Sequence, residues 1–356
     1  MKNIIIADLK SNNNKGKSTG HYFAVAQNYF ELYTKTHNVL IAGGPIYKIR
    51  FSNDKLFKLP LDTKTANNVL KNKWNFFKNA FYLFRRTNLN DILIIQKCGI
   101  ITTFIAIVLF AKKKRNNIFM IEYDTEALNS NIKRFIYIFA KKKIKGFICP
   151  NKTIGLAYGK PYCVVTDYIY TFPKEPFIPY SHKIYDFCIV GSIWPDKGVI
   201  EIAEKFKHTN YKLIIAGKPC NNIIKNQLES ITQNSPNITL NLGYISENDY
   251  YNYIINSKYC ILNYQGCYNE RSSGVVLDVL FRHVPIIAHR CNATSLIEEE
   301  NAGLLYNNLN EFNPDTVLNK NIYNKYIEGI NNFLSKQESY KKELIEFLEF
   351  YSNHNI

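Results

Sequence analysis

Two acids eight positions apart, Glu270 and Asp278, bracket Arg271, Ser272, Ser273 and Gly274. Small and hydroxyl-bearing residues leave backbone N–H groups open to a ligand, and a helix starting there adds the positive end of its dipole, so these types suit phosphate. One carboxylate leads the loop and the other lies a turn inside the following helix, so a phosphate between them leaves each acid facing hydroxyls. A second acidic pair, Glu122 and Asp124, falls at the carboxyl end of an apolar run, the edge where open α/β sheets keep ligands. Carboxylates there serve either as general bases towards a hydroxyl or as caps of the next turn. Gly16-Lys17-Ser18-Thr19 invites a phosphate-loop reading, but that motif needs a glycine five positions before Gly16, and Ser11 stands there.

Alternating strands and helices must position these residues. Residues 259–264 read as a strand, 265–272 as a loop, 273–282 as a helix and 284–288 as a buried strand, which together make a βαβ unit. The same alternation runs through both halves: strand 3–8, polar loop 10–20 and helix 21–35 at the start, and strand 186–190 ending at Gly191 in the second half. Pro173, Pro176 and Pro179 disfavour regular structure between the halves. The expected division is residues 1–172, a linker 173–185, a second domain 186–335 and a terminal helix 336–356, each domain with its own core.

The order Glu270, small-residue turn, Asp278, then Pro285 opening an apolar strand resembles the donor site of GT-B glycosyltransferases, closest to the large family-four retaining group. The resemblance covers the second half well and the first only through its architecture. It implies an α/β GT-B fold, two Rossmann-like domains facing across a cleft, with the C-terminal helix crossing back to the N-terminal domain. It implies that Glu270 contacts the donor sugar and Asp278 the ribose hydroxyls. Lys197-Gly198 is similar to the family's element in which a lysine neutralises the donor diphosphate. The arginine usual near Ser192 is missing, and Arg271 is the candidate substitute. Gly243 and Tyr244 match the segment that runs past the nucleotide base, and Gly20 with His21 the loop that lines the cleft. Two departures are His283, where glycine is usual, and aspartate in place of the second glutamate. The implied reaction moves a sugar from a UDP- or GDP-sugar to a saccharide hydroxyl, with retention and without a metal; if the anomeric centre inverts, Asp124 or Glu122 is the natural base.

Charge is unevenly shared: residues 1–180 carry net +19 and residues 181–356 net −3. The first half therefore calls for an anionic partner: a phospholipid surface, a diphosphate-linked acceptor or nucleic acid. No nucleic-acid-binding motif accompanies the scattered clusters, so nucleic acid is not expected. Residues 71–86 read as a helix with Trp74, Phe77, Phe81 and Phe84 along one side, and Lys78, Arg85 and Arg86 mostly elsewhere. That pattern fits insertion at a lipid headgroup boundary or a core helix with snorkelling cations. Basic clusters around Lys113 and Lys142 extend the first possibility. Eight cysteines form no CxxC pair, the pattern of a reducing compartment without a metal site. No secretory signal is read, and the longest apolar run, 99–111, falls short of the roughly 20 residues that span a bilayer and reads as a buried helix. The expectation is a cytoplasmic protein, peripheral to the inner face of the plasma membrane, acting on a lipid-linked saccharide in surface polysaccharide assembly. A basic nucleic-acid-binding protein and a catalytically silent nucleotide-sugar binder of the same fold are the alternatives.

Overall fold

Runs such as Ile92–Ile95 and Asn117–Ile121 lack polar alternation and are buried at every position, as parallel strands covered on both faces must be. The computed structural model describes residues 3–9, 21–60, 69–96, 101–112, 117–165, 176–269 and 272–354. It divides into two units, Met1–Ile169 with Glu338–Ile356, and Tyr170–Gln337.

Among the described residues the first unit holds seven strands: β1 (Asn3–Ala7), β2 (Asn38–Gly43), β3 (Leu56–Lys58), β4 (Ile92–Ile95), β5 (Asn117–Ile121), β6 (Ile144–Cys149) and β7 (Tyr162–Val164). They form one parallel sheet in the order β3-β2-β1-β4-β5-β6-β7. Its helices are α1 (His21–Tyr33), α2 (Val69–Arg86), α3 (Ile101–Phe110), α4 (Asn131–Lys141) and α5 (Lys152–Tyr158). Right-handed crossovers place α1 on one face and α2, α3 and α4 on the other. There Phe84, Phe104 and Tyr137 join Leu93, Ile95 and Met120 in one core.

The second unit holds, among its described residues, β8 (Tyr185–Val190), β9 (Leu213–Gly217), β10 (Ile238–Leu242), β11 (Ser257–Leu262), β12 (Ile286–His289) and β13 (Gly303–Tyr306), parallel in the order β10-β9-β8-β11-β12-β13. Its helices are α6 (Val199–Phe206), α7 (Asn222–Thr232), α8 (Glu247–Ile255), α9 (Gly274–Leu280), α10 (Ser295–Glu299), α11 (Pro314–Val317) and α12 (Lys320–Ser335). The side chains of Asn221 and Ser246 accept from the third residue beyond, starting α7 and α8. The terminal helix α13 (Gln337–Asn353) packs on the first unit's sheet, with Leu344 and Leu348 buried and Phe347 edge-on to Phe119 at 5.7 Å.

Both sheets are tied at their amino ends. Asp91 accepts from the backbone and side-chain nitrogens of Asn3, and Asp186 pairs with Lys258 at 2.7 Å. The carboxyl ends carry the loops described below.

Two helices of the first unit differ from their sequence reading. Phe84 is buried in the core, with Phe76, Ala80 and Leu83 on the same face, whereas Trp74 and Phe81 are exposed. The aromatic side of α2 therefore straddles the edge of the buried face, because that face is chosen by the sheet beneath it. Helix α3 is buried at Phe104, Ala106 and Ile107 but exposes Leu109, so its apolar run is not wholly interior. The lysines after α4 also part company. Lys143 donates to the carbonyls of Ile107, Val108 and Ala111, closing the end of α3, and Lys145 donates to His354, while Lys142 is exposed.

Candidate functional site

The strand order of the second sheet reverses between β8 and β11. β8 leads through α6 to β9 on one side, and β11 leads through α9 to β12 on the other, which opens a crevice at their carboxyl ends. After Gly191 the chain makes one 3₁₀ turn, Pro195–Lys197, and ends it at Gly198 in the left-handed region (φ 55°) before α6 begins. The Gly198 carbonyl accepts from Asn263 Nδ2 at 3.1 Å, and Asn263 Oδ1 accepts from the Tyr306 hydroxyl at 2.8 Å. A Cβ at position 198 would lie 2.2 Å from Asn263 Nδ2, so both conformation and contact require glycine. Gln265 N donates to the Asp196 carbonyl at 2.8 Å, tying the two crevice loops a second time.

Lys197 points into this crevice and is only 9% exposed. Burial pushes its ammonium down to about 8, opposed in part by Cys260. Lys183 is also buried and pushed down to about 8, but its Nζ donates to the Ile255 carbonyl at 2.8 Å. Lys197 has no such partner: among the described residues its ammonium makes no hydrogen bond or ion pair and lies 5.9 Å from the centre of the Tyr264 ring. A buried cation left without an anion is costly unless a ligand supplies one.

Asp278 lies one turn into α9, half-buried, and its Oδ2 accepts from the Tyr250 hydroxyl at 3.0 Å. A Cβ built on Gly191 would sit 3.6 Å from Lys197 Nζ and 4.0 Å from both Tyr250 and Val275, so the lysine and the Asp278–Tyr250 pair border the same spot. The Ser273 and Tyr264 hydroxyls share a hydrogen bond of 2.9 Å, and Tyr264 stacks on Tyr268 at 4.0 Å. Ser273 therefore does not cap α9 with its own side chain. The structure thus brings together Gly191, Lys197, Ser273, Gly274 and Asp278, with Ser272 half-buried beside them. Glu270 and Arg271 lie outside the described residues. Gly243 follows β10, two strands away, and its N–H donates to the Gly217 carbonyl at 3.0 Å; Tyr244 beside it is exposed.

In the first unit the reversal falls between β1 and β4. Glu122 and Asp124 follow β5, one strand further along, and both are buried. Asp124 Oδ1 accepts from Glu126 N at 2.9 Å, so this carboxylate caps the next turn, and its carbonyl accepts from the Tyr158 hydroxyl. At the reversal itself stands Asp8, buried and accepting from the Tyr47 hydroxyl at 2.8 Å. Gly20 and Lys113 lie outside the described residues, as does the segment Gly16 to Thr19, and His21 opens α1. Trp74, Lys78, Arg85, Arg86 and Lys142 are all exposed, with Lys78 5.5 Å from the Trp74 ring and Arg85 5.8 Å from Phe81.

Neither a protein-family model nor a curated protein matches the sequence. Solved structures do match. S. aureus TarM aligns at TM-score 0.56 and 17% identity over 77% of this chain, which spans only 58% of that one. A glycosyltransferase from Rickettsia africae aligns at TM-score 0.65 and 13% identity over 100% of this chain and 99% of its own. Anabaena Alr3699/HepE, solved in complex with UDP, aligns at TM-score 0.62 and 10% identity over 98% of this chain and 100% of its own. The fold is GT-B. The parallel sheets of seven and six strands are those of a GT-B protein, and the α/β expectation from sequence holds.

Within this GT-B chain the sequence reading missed the residues that hold the site's parts. Asn263, Tyr264 and Tyr250 arrive from the end of β11 and from α8. Their signal was faint: an asparagine–tyrosine pair closing an apolar strand, and a tyrosine on a polar helix. Asp8, directly after β1, had the plainest signal, because an acid closing the first strand of such a sheet stands at the reversal.

Proposed function

We propose that this chain is a glycosyltransferase that moves a sugar from a nucleotide diphosphate sugar to a hydroxyl of a saccharide acceptor. The observation that carries the reading is Lys197, a buried ammonium that makes no ion pair among the described residues, set at the strand reversal beside the start of α9 and the Asp278–Tyr250 pair. In the reaction the bond from the anomeric carbon to the diphosphate oxygen breaks and its electron pair stays with the diphosphate. A bond to the acceptor oxygen forms, and the acceptor proton leaves. Lys197 offsets the charge developing on the departing diphosphate, the largest electrostatic demand of the step. Asp278, oriented by Tyr250, accepts from ribose hydroxyls. Glu270 orients the sugar, Arg271 adds to the diphosphate clamp, and Gly243 and Tyr244 border the base. The Anabaena structure, solved with UDP, supports a uridine nucleotide as the first to try.

The finer reading is retention at the anomeric carbon and a lipid-diphosphate-linked acceptor in surface polysaccharide assembly, met at the cytoplasmic face of a membrane. The two-acid pattern supports the first, and the net charge of +19 over residues 1–180 the second.

The test is a thermal-shift screen of wild type and Asp278→Ala against nucleotides and nucleotide sugars, since a ligand of the native state raises the melting temperature by mass action. Stabilisation by one nucleotide class, lost in the variant, is the expected result and selects the donor for acceptor assays. If no nucleotide shifts the wild type at concentrations well above ordinary donor affinities, the reading fails.

A further inference from the structure

Helix α4 carries its apolar stripe on the outside. Ile132, Phe135, Ile138 and Phe139 are 70%, 63%, 54% and 44% exposed, whereas its buried residues are Tyr137 and Ala140. At about 100° per residue those four positions fall in one arc of roughly 120° centred on Phe135, the width of stripe that a surface helix ordinarily turns towards the core. The Phe135 and Phe139 rings meet edge-on at 5.1 Å, so the stripe has a continuous aromatic centre.

The neighbouring helices continue this surface. α3 packs beside α4, and α2 beside α3. α3 exposes Leu109, and α2 exposes Trp74 and Phe81, the latter resting on Phe110 at 5.4 Å. The charges on the three helices have one sign: five lysines and arginines on α2, three on α4, and no aspartate or glutamate on any of them. Several cations lie beside the outward aromatics, Lys142 5.7 Å from the Phe139 ring and Arg85 5.8 Å from the Phe81 ring. Among the described residues no helix is long and apolar enough to cross a membrane.

We propose that the α2–α3–α4 face docks on an anionic phospholipid surface, with α4 lying in the plane of the interface. Ile132, Phe135, Ile138 and Phe139 enter the acyl boundary, while Lys142 and the cations of α2 meet lipid phosphates. Charge selects this occupant over a second copy of the chain. A two-fold contact sets the same patch against itself and would bring cations against cations, whereas an anionic bilayer complements both the charge and the apolar row. As the surface on which a lipid-linked acceptor would be met, the face rests on the reading above, but its test uses neither donor nor acceptor.

The experiment is sedimentation with vesicles of equimolar phosphatidylglycerol and phosphatidylcholine, and with pure phosphatidylcholine. Trp74 emission is read in a Trp194→Phe background, since the chain has only two tryptophans. The wild type is expected to bind the anionic vesicles, more weakly in high salt, and to shift Trp74 emission to the blue. The pair Phe135→Ser with Phe139→Ser should weaken binding at least tenfold with an unchanged melting temperature and an unchanged nucleotide shift, while Ile223→Ser, an exposed apolar position on α7, changes nothing. Three results overturn the proposal: no binding of wild type to anionic vesicles, equal binding by the Phe135/Phe139 variant, or concentration-dependent dimers that the same pair abolishes without any vesicle binding. Vesicle binding without any nucleotide shift leaves docking standing and removes the transferase reading; the converse removes docking alone.

Discussion

Lys197 binds stability and ligand recognition to the same atom. Its folded-state pKa is about 8 against an ordinary value of 10.5. Between those two pH values the unfolded chain holds the extra proton, so stability rises with pH across that window; below it the penalty of burying the charge is constant. Lys197→Met should therefore raise the melting temperature at pH 7, by about 3–4 kcal/mol of unfolding free energy at roughly 1.4 kcal/mol per pKa unit. The gain should shrink from pH 8 and vanish above 10.5, as pH-resolved urea melts would register. The same substitution removes a charged partner of the diphosphate and should weaken UDP binding about 10–100-fold. In the wild type, UDP affinity by calorimetry should be flat below pH 8 and fall above it, as the free enzyme loses the proton that the anion needs.

At the level of elements, the site depends on how closely the strand ends pack. A Cβ at Gly217 would lie 1.7 Å from the Gly191 carbonyl oxygen, and one at Gly303 would lie 1.8 Å from that of Ile286, at the opposite end of the same sheet. Both alanine variants should lose about 1–3 kcal/mol, because backbone cannot yield as a side chain can. Only Gly217→Ala moves Gly191 and the turn that carries Lys197. It should lose the UDP-dependent thermal shift, whereas Gly303→Ala keeps it; equal behaviour of the two would detach the site from the β8–β9 junction.

Across the whole molecule, the chain begins and ends in the same unit. α13 covers the first sheet, and Gly146 admits the Phe347 ring, whose nearest atom would lie 2.6 Å from a Cβ there. Removing residues 338–356 should therefore expose Phe119 and destabilise the first unit. Amide hydrogen exchange should show faster exchange in β5 and β6 and unchanged protection in β8 and β11. Uniform loss in both sheets would mean that the units do not unfold separately.

Much of this was legible in the linear order of residues. Apolar runs of four to six with helical patterns between them specify parallel sheets, because such strands need cover on both faces. Ser273 and Gly274 were legible because they stand at a helix start, where open backbone N–H groups favour an anion, whereas Lys197 and Asp278 were singled out by the resemblance to the GT-B donor site. Tertiary structure decided which groups hold them. Asn263 joins Gly198 to Tyr306, and Tyr250 reaches Asp278, across separations of 28 to 65 residues that no local pattern encodes. It also decided which face of an amphipathic helix turns inward. The sheet and α3 determined that Phe84 of α2 enters the core and that Phe135 of α4 remains outside. Periodicity states that a helix has two faces; only packing states what each one meets.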